Sequence, residues 1–181
     1  MDTPVTLEQV IHFLLETPLF DALEPAELAE VVSIMQVQRL RDGQSVFAEG
    51  DEGDGWYVIF SGEANVSREA AFGPRRSIAS LDSHCCFGEM AVLDGSARSA
   101  TVQVRGASTL FKFPRGDFQN LLDGGSLAAH KLVAAMARVL CQRQRTLTQQ
   151  LAEAIDSAPA EPQGALKASL GDLLDSYSVS E

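Results

Sequence analysis

The stretch Gly50-Asp51-Glu52-Gly53-Asp54-Gly55-Trp56-Tyr57-Val58-Ile59-Phe60-Ser61-Gly62 sets the character of the chain. An acidic, glycine-rich turn runs directly into a block of aromatic and β-branched residues, and a Ser-Gly pair follows. Such side chains fit a pleated, covered surface, while Gly and Asp supply the turns. The same texture recurs on both sides. Ser45-Val46-Phe47 precedes the block; Ala64-Asn65-Val66, Arg76-Ser77-Ile78, Thr101-Val102-Gln103-Val104 and Thr109-Leu110-Phe111-Lys112-Phe113 follow it. Asp42-Gly43, Ser61-Gly62 and Gly73-Pro74 read as turns. Short strands at regular spacing predict a mainly β architecture, a sandwich or jelly roll, over residues 37–123. The acidic turn does not read as a calcium loop. An EF-hand starting at Asp51 needs oxygen ligands at its third and fifth positions and Glu at its twelfth, where Gly53, Gly55 and Gly62 stand.

Helical patterns flank this region, giving an α+β chain that is mainly β. Residues 6–16 carry Leu7, Val10, Ile11, Leu14 and Leu15 on one stripe, Thr6 and Gln9 fit a capping box, and Pro18 ends the run. A second helix is expected over 25–36, with Pro25 in its first turn and Leu28, Val31, Val32 and Met35 at helical spacing. Phe87 to Leu93 reads as a short helical turn and 115–123 as a brief helix. A long helix follows over 124–156, starting at about Ser126. Its Val133, Met136, Leu140, Leu147 and Leu151 approximate a heptad seam, with Arg143 between, and this predicts a homodimer through the helix. Residues 157–181 read as a flexible tail. It opens on a Pro/Ala linker at 157–164, and Leu166, Leu170, Leu173 and Leu174 share one face further on.

Composition narrows the function classes. Fourteen basic residues against 25 acidic ones leave a net charge of −11, which opposes nucleic-acid binding at long range. No run of eighteen apolar residues and no signal-peptide pattern occurs, so a cytoplasmic protein with no membrane association is expected. Cys85, Cys86 and Cys141 lack metal-ligand or disulfide spacing, and His12, His84 and His130 stand isolated in surface or packing roles. No metal or cofactor is expected. A cupin-type metalloenzyme needs a cluster of histidines around its metal, which these scattered residues do not provide.

The chemistry concentrates in Phe87-Gly88-Glu89-Met90-Ala91-Val92-Leu93-Asp94-Gly95-Ser96-Ala97-Arg98-Ser99-Ala100-Thr101-Val102. Gly88 lets the backbone approach a ligand closely. The helical turn after it directs free N–H groups outward, where an anion is favoured. Arg98 offers a planar, permanently charged fork for two phosphate oxygens. A carboxylate at Glu89 accepts from a sugar hydroxyl, or pairs with the arginine. Spacing alone allows the latter, a plain loop salt bridge, equally well.

This stretch closely resembles the phosphate-binding cassette of the cyclic nucleotide-binding domain family, which includes protein kinase A regulatory subunits and bacterial catabolite activators. Phe87 to Val102 matches the cassette without a gap. An upstream pattern is also met by Gly43, Val46, Gly50, Asp51, Asp54, Tyr57, Ile59 and Gly62. The resemblance implies an eight-stranded β-roll flanked by helices, with cAMP or cGMP as ligand. It implies that Arg98 contacts the cyclic phosphate and that Glu89 accepts from the ribose 2′-OH. Gly88, Met90, Ala91, Ser99 and Ala100 would complete the cradle, and Ala64 and Val66 would offer a platform for the base. Ala97 departs from the family, where many members carry proline. Ser99 is compatible with either base. The bacterial activators append a helix-turn-helix, for which the 25 residues after 156 (181 − 156) give no pattern. The expectation is a stand-alone, non-enzymatic sensor whose output passes through a protein partner or an oligomer. The alternative is an interaction module that kept the fold and lost the ligand.

Overall fold

The computed structural model describes residues 5–69 and 74–157, so the linker beyond Ser157 and the leucines of the tail lie outside the described residues. The chain divides into two compact units, 1–136 and 137–181.

In the first unit, α1 (Leu7–Leu15) begins at Thr6. The Gln9 N–H donates to Thr6 Oγ1 and the Thr6 N–H to Gln9 Oε1, so both orphan donors of the first turn are satisfied as the capping box predicts. A 3₁₀ turn at Pro18–Phe20 leads to α2 (Pro25–Ser33). This helix ends three residues before the expected 36, because Gln36 onward is drawn into a strand.

The strands are β1 (Gln36–Leu40), β2 (Ser45–Phe47), β3 (Gly55–Arg68), β4 (Arg76–Leu81), β5 (Cys86–Phe87) and β6 (Thr101–Pro114). They form one antiparallel sheet in the order β1-β6-β3-β4, with β2 added to β6 and β5 to β3. Among the described residues, six strands therefore stand where eight were expected. The reason lies in β3 and β6, each a continuous run of fourteen residues that takes up two expected strands. Ser61-Gly62 is accordingly no turn. The register shifts on either side of Ser61, and Gly62 passes through φ +94°. A Cβ at Gly62 would lie 2.1 Å from Ser108 Oγ and 2.8 Å from Ser108 Cα, so only glycine lets the two long strands pass this closely.

Both faces of the central strands are covered, which explains the unbroken apolar block of the sequence. Trp56 and Val58 on β3, with Phe111 and Phe113 on β6, point into a core shared with the helices. That core holds Phe13 and Leu14 of α1, Leu28 and Val31 of α2, Phe118 of α4 (Arg115–Asp123) and Leu132 and Met136 of α5 (Leu127–Ser157). The intervening residues Tyr57 and Ile59 point to a second core with Ala64, Phe87, Val102, Val104 and Leu110. His84 packs as well. Its ring stacks on Phe13 at 4.2 Å, and its Nδ1 lies 2.8 Å from the hydroxyl of buried Thr17.

Ser126 starts α5, its Oγ accepting from the Ala129 N–H. The expected heptad seam does not behave as one surface: Met136 is fully buried in the first unit's core. In the second unit, described over 137–157, Leu147 and Leu151 are 58% and 46% exposed. Among the described residues no helix is long and apolar enough to cross a membrane.

Candidate functional site

The cassette folds as β5, a tight turn at Gly88, the six-residue helix α3 (Glu89–Asp94) and a loop that enters β6. Gly88 sits at φ +76°, and no side chain caps the first turn of α3. The loop is stitched to the acidic turn ahead of β3. The Arg98 N–H donates to Asp51 O at 2.8 Å, and the Gly50 N–H donates back to Arg98 O at 2.9 Å. Asp51 in turn accepts from the Ala48 N–H. The glycine-rich turn at 50–55 is thus a framework for Arg98, which explains why the two sequence patterns occur together.

Arg98 does not point to solvent; its side chain is only 1% exposed. Nη1 donates to Gly88 O, and Nη2 donates to both Asp54 Oδ1 and Gly55 O, each at 2.8 Å. The guanidinium carbon stands 4.0 Å from the centroid of the Phe47 ring, a stacked cation–π contact. The structure gives Arg98 an ion pair with Asp54. Two N–H groups of the guanidinium are left over, the second on Nη1 and that of Nε, and Nε is buried with no hydrogen-bond partner among the described residues. A buried charged donor without a partner is costly, and a ligand oxygen is the group that would relieve it. Gly88 has to be glycine here. A Cβ would meet Arg98 Nη1 at 2.8 Å, in a backbone conformation that L side chains rarely adopt.

The remaining expected residues differ in exposure. Glu89 is buried at 2% exposure, and so are Ala91 and Ala100, while Met90 and Ser99 face outward. The Ser99 hydroxyl approaches Met90 Sδ at 3.9 Å. Of the two residues expected under a base, Ala64 is completely covered by the second core and Val66 is half-buried.

Four participants were not among the expected site residues: Phe47 and Lys112, and Asp54 and Tyr57, which belong to the upstream pattern but had no role assigned there. Asp54 is the hub. Its Oδ1 accepts from Arg98 and from the Tyr57 hydroxyl at 3.2 Å, and its Oδ2 accepts from Lys112 Nζ. Partial burial works against the Asp54 charge, but Lys112 and then Arg98 outweigh it and hold the carboxyl below the usual range. Burial, with Asp54 beside it, pushes the Tyr57 phenol up, so its proton stays available for donation. The signal available in the sequence was an Asp three residues before a Tyr at the mouth of a strand. Lys112 enters through pairing register alone, opposite Tyr57 on the neighbouring strand. Among the described residues no group of three or more His, Cys, Asp or Glu is arranged around a metal position.

Residues 37–124 match the model of the cyclic nucleotide-binding domain. The chain belongs to the cyclic nucleotide-binding domain family. Among its relatives, the cAMP-dependent protein kinase regulatory subunit of Aspergillus niger is 34% identical over 110 residues, 61% of this chain and 26% of that protein. The cyclic AMP receptor protein of Thermus thermophilus is 34% identical over 124 residues, 68% of this chain and 57% of that protein. The regulatory domain of Toxoplasma gondii PKA, crystallised with cAMP, superposes with a TM-score of 0.59 at 29% identity, over 66% of this chain and 45% of that one. The chain thus spans between a quarter and about three fifths of these relatives' own lengths.

Proposed function

We propose that this chain is a cyclic-nucleotide sensor, a binding protein rather than an enzyme, that takes cAMP or cGMP and transmits occupancy through α5. The observation that carries the reading is the Arg98 fork, buried and fixed by three bonds, with its buried Nε unpaired among the described residues beside an uncapped turn of backbone. A cyclic phosphodiester bears a single negative charge, which one such arginine suits; a polyphosphate would call for more cations or a metal. Glu89 accepts from the ribose 2′-OH. Gly88, Met90, Ala91, Ser99 and Ala100 supply the surrounding backbone. Similarity to a cAMP-dependent protein kinase regulatory subunit and to a cyclic AMP receptor protein favours cAMP.

Side-by-side calorimetric titration with cAMP and cGMP tests the reading, and a wild-type protein that binds neither would end it. For Glu89, the expected result is that 2′-deoxy-cAMP binds wild type about ten- to a hundredfold more weakly than cAMP, the range for a hydrogen bond to a charged group. Glu89→Gln should shrink that discrimination while the protein still unfolds cooperatively. Equal binding of the two ligands to wild type removes the role assigned to Glu89.

Output through α5 involves a protein partner or a second copy. The outward-facing Leu147 and Leu151 support a homodimer through this helix. Ligand shifts such an equilibrium only by its difference in affinity for the two states. Light scattering is expected to give a dimer whose dissociation constant changes on addition of cAMP. A monomer at every concentration, with and without ligand, excludes the homodimer.

A further inference from the structure

Arg98 and Asp54 together carry no net charge, an odd base for a site that must attract an anion. Yet a third charged group reaches Asp54: Lys112, whose side chain is only 14% exposed, spans to Oδ2 while Arg98 holds Oδ1. Its position is dictated by the sheet. Lys112 on β6 lies opposite Tyr57 on β3, and its Nζ stands 5.8 Å from the Tyr57 ring centroid. The chain therefore builds a row of Arg98, Asp54 and Lys112 with a net charge of +1, locked on one side by the Tyr57 hydroxyl.

We propose that Lys112 is a positioning residue for anion binding: by occupying the second oxygen of Asp54, it leaves the positive charge of Arg98 uncompensated toward the ligand. The inference rests on the cyclic-nucleotide reading of this site. In the absence of Lys112, the full charge of Asp54 faces the arginine, and the phosphate meets a neutral ion pair. At an effective dielectric of about 20, removing one unit charge some 10 Å from an anion weakens binding on the order of tenfold. The effect runs through charge, so a second substitution that removes the opposing charge restores it. Asp54→Asn is suited to this, because its amide oxygen still accepts from Arg98 and Tyr57.

The experiment is calorimetric titration of the full chain with cAMP, or with cGMP if that is the nucleotide wild type binds. Wild type, Lys112→Met, Lys112→Arg and the double variant Lys112→Met/Asp54→Asn are compared, each checked for cooperative thermal unfolding. The expected result is about a tenfold loss for Lys112→Met, with Lys112→Arg and the double variant within about threefold of wild type. If wild type binds and Lys112→Met binds as tightly, Lys112 has no such role, though the site reading stands. A loss that the double variant fails to recover makes Lys112 a packing residue and overturns the charge argument. Absence of any nucleotide binding by wild type removes the reading underneath, and the inference with it.

Discussion

Replacing Arg98 with alanine is expected to weaken cyclic-nucleotide binding by tens- to thousandsfold, about 2–5 kcal/mol, the range for truncating one partner of a buried charged contact. The side chain has no exposed role to lose, being 1% accessible, and its Nε, unpaired among the described residues, is a donor left for a ligand oxygen. Truncation also strips Gly88 O of its Nη1 donor and Gly55 O of its Nη2 donor, so some loss of stability accompanies the loss of affinity. Arg98→Lys separates the two contributions. Lysine keeps the charge but not the planar fork, so it should recover stability better than affinity. Titration with cAMP and cGMP, alongside thermal unfolding of each variant, measures both. A folded Arg98→Ala protein that binds as tightly as wild type places the nucleotide elsewhere.

The second large effect is on stability. Trp56→Ala should cost about 3–5 kcal/mol, the usual range for truncating a buried large aromatic side chain. The indole is fully buried, stacked on Phe113 at 4.0 Å with an interplanar angle of 10°, and meets the edge of Phe118 at 5.7 Å. No nearby backbone can collapse into so large a void without disturbing the β3–β6 pairing that also carries Tyr57 and Lys112. Trp56→Phe should cost less than half as much, because it preserves stacking and removes the buried indole N–H, which has no partner. Urea unfolding followed by circular dichroism gives both values. A cost under about 1 kcal/mol for the alanine variant contradicts the assigned core.

Local chemistry made much of this legible in the sequence. Thr6 and Gln9 announce the start of α1, the covered strand is visible as Trp56 to Phe60, and the cassette is contiguous from Phe87 to Val102. What escaped is what depends on pairing. Gln36-Val37-Gln38-Arg39-Leu40 is too polar to read as a strand, and forms one because β6 offers it an edge. Ser61-Gly62 carries the composition of a turn, yet the strand continues through it with a shift of register, and Ser108 lies so close that only glycine fits. Asp54 and Lys112 lie 44 and 14 positions from Arg98 in sequence (98 − 54 and 112 − 98); the bonds of Arg98 to Gly50 and Asp51 bring in the first, and the β3–β6 register brings in the second.

That register has a consequence during synthesis. The paired residues of β3 and β6 range from Gly55 with Pro114 to Ser67 with Thr101, so β3 waits for 34 to 59 further residues (101 − 67 and 114 − 55) before its partner exists. At about 5–20 residues per second, the interval is roughly 2–12 s. Through it the nascent chain carries the sticky block Trp56 to Phe60 with its hydrogen-bonding edge open. The acidic turn at Gly50–Asp54, immediately upstream, keeps like charges beside that block and discourages two growing chains from pairing there.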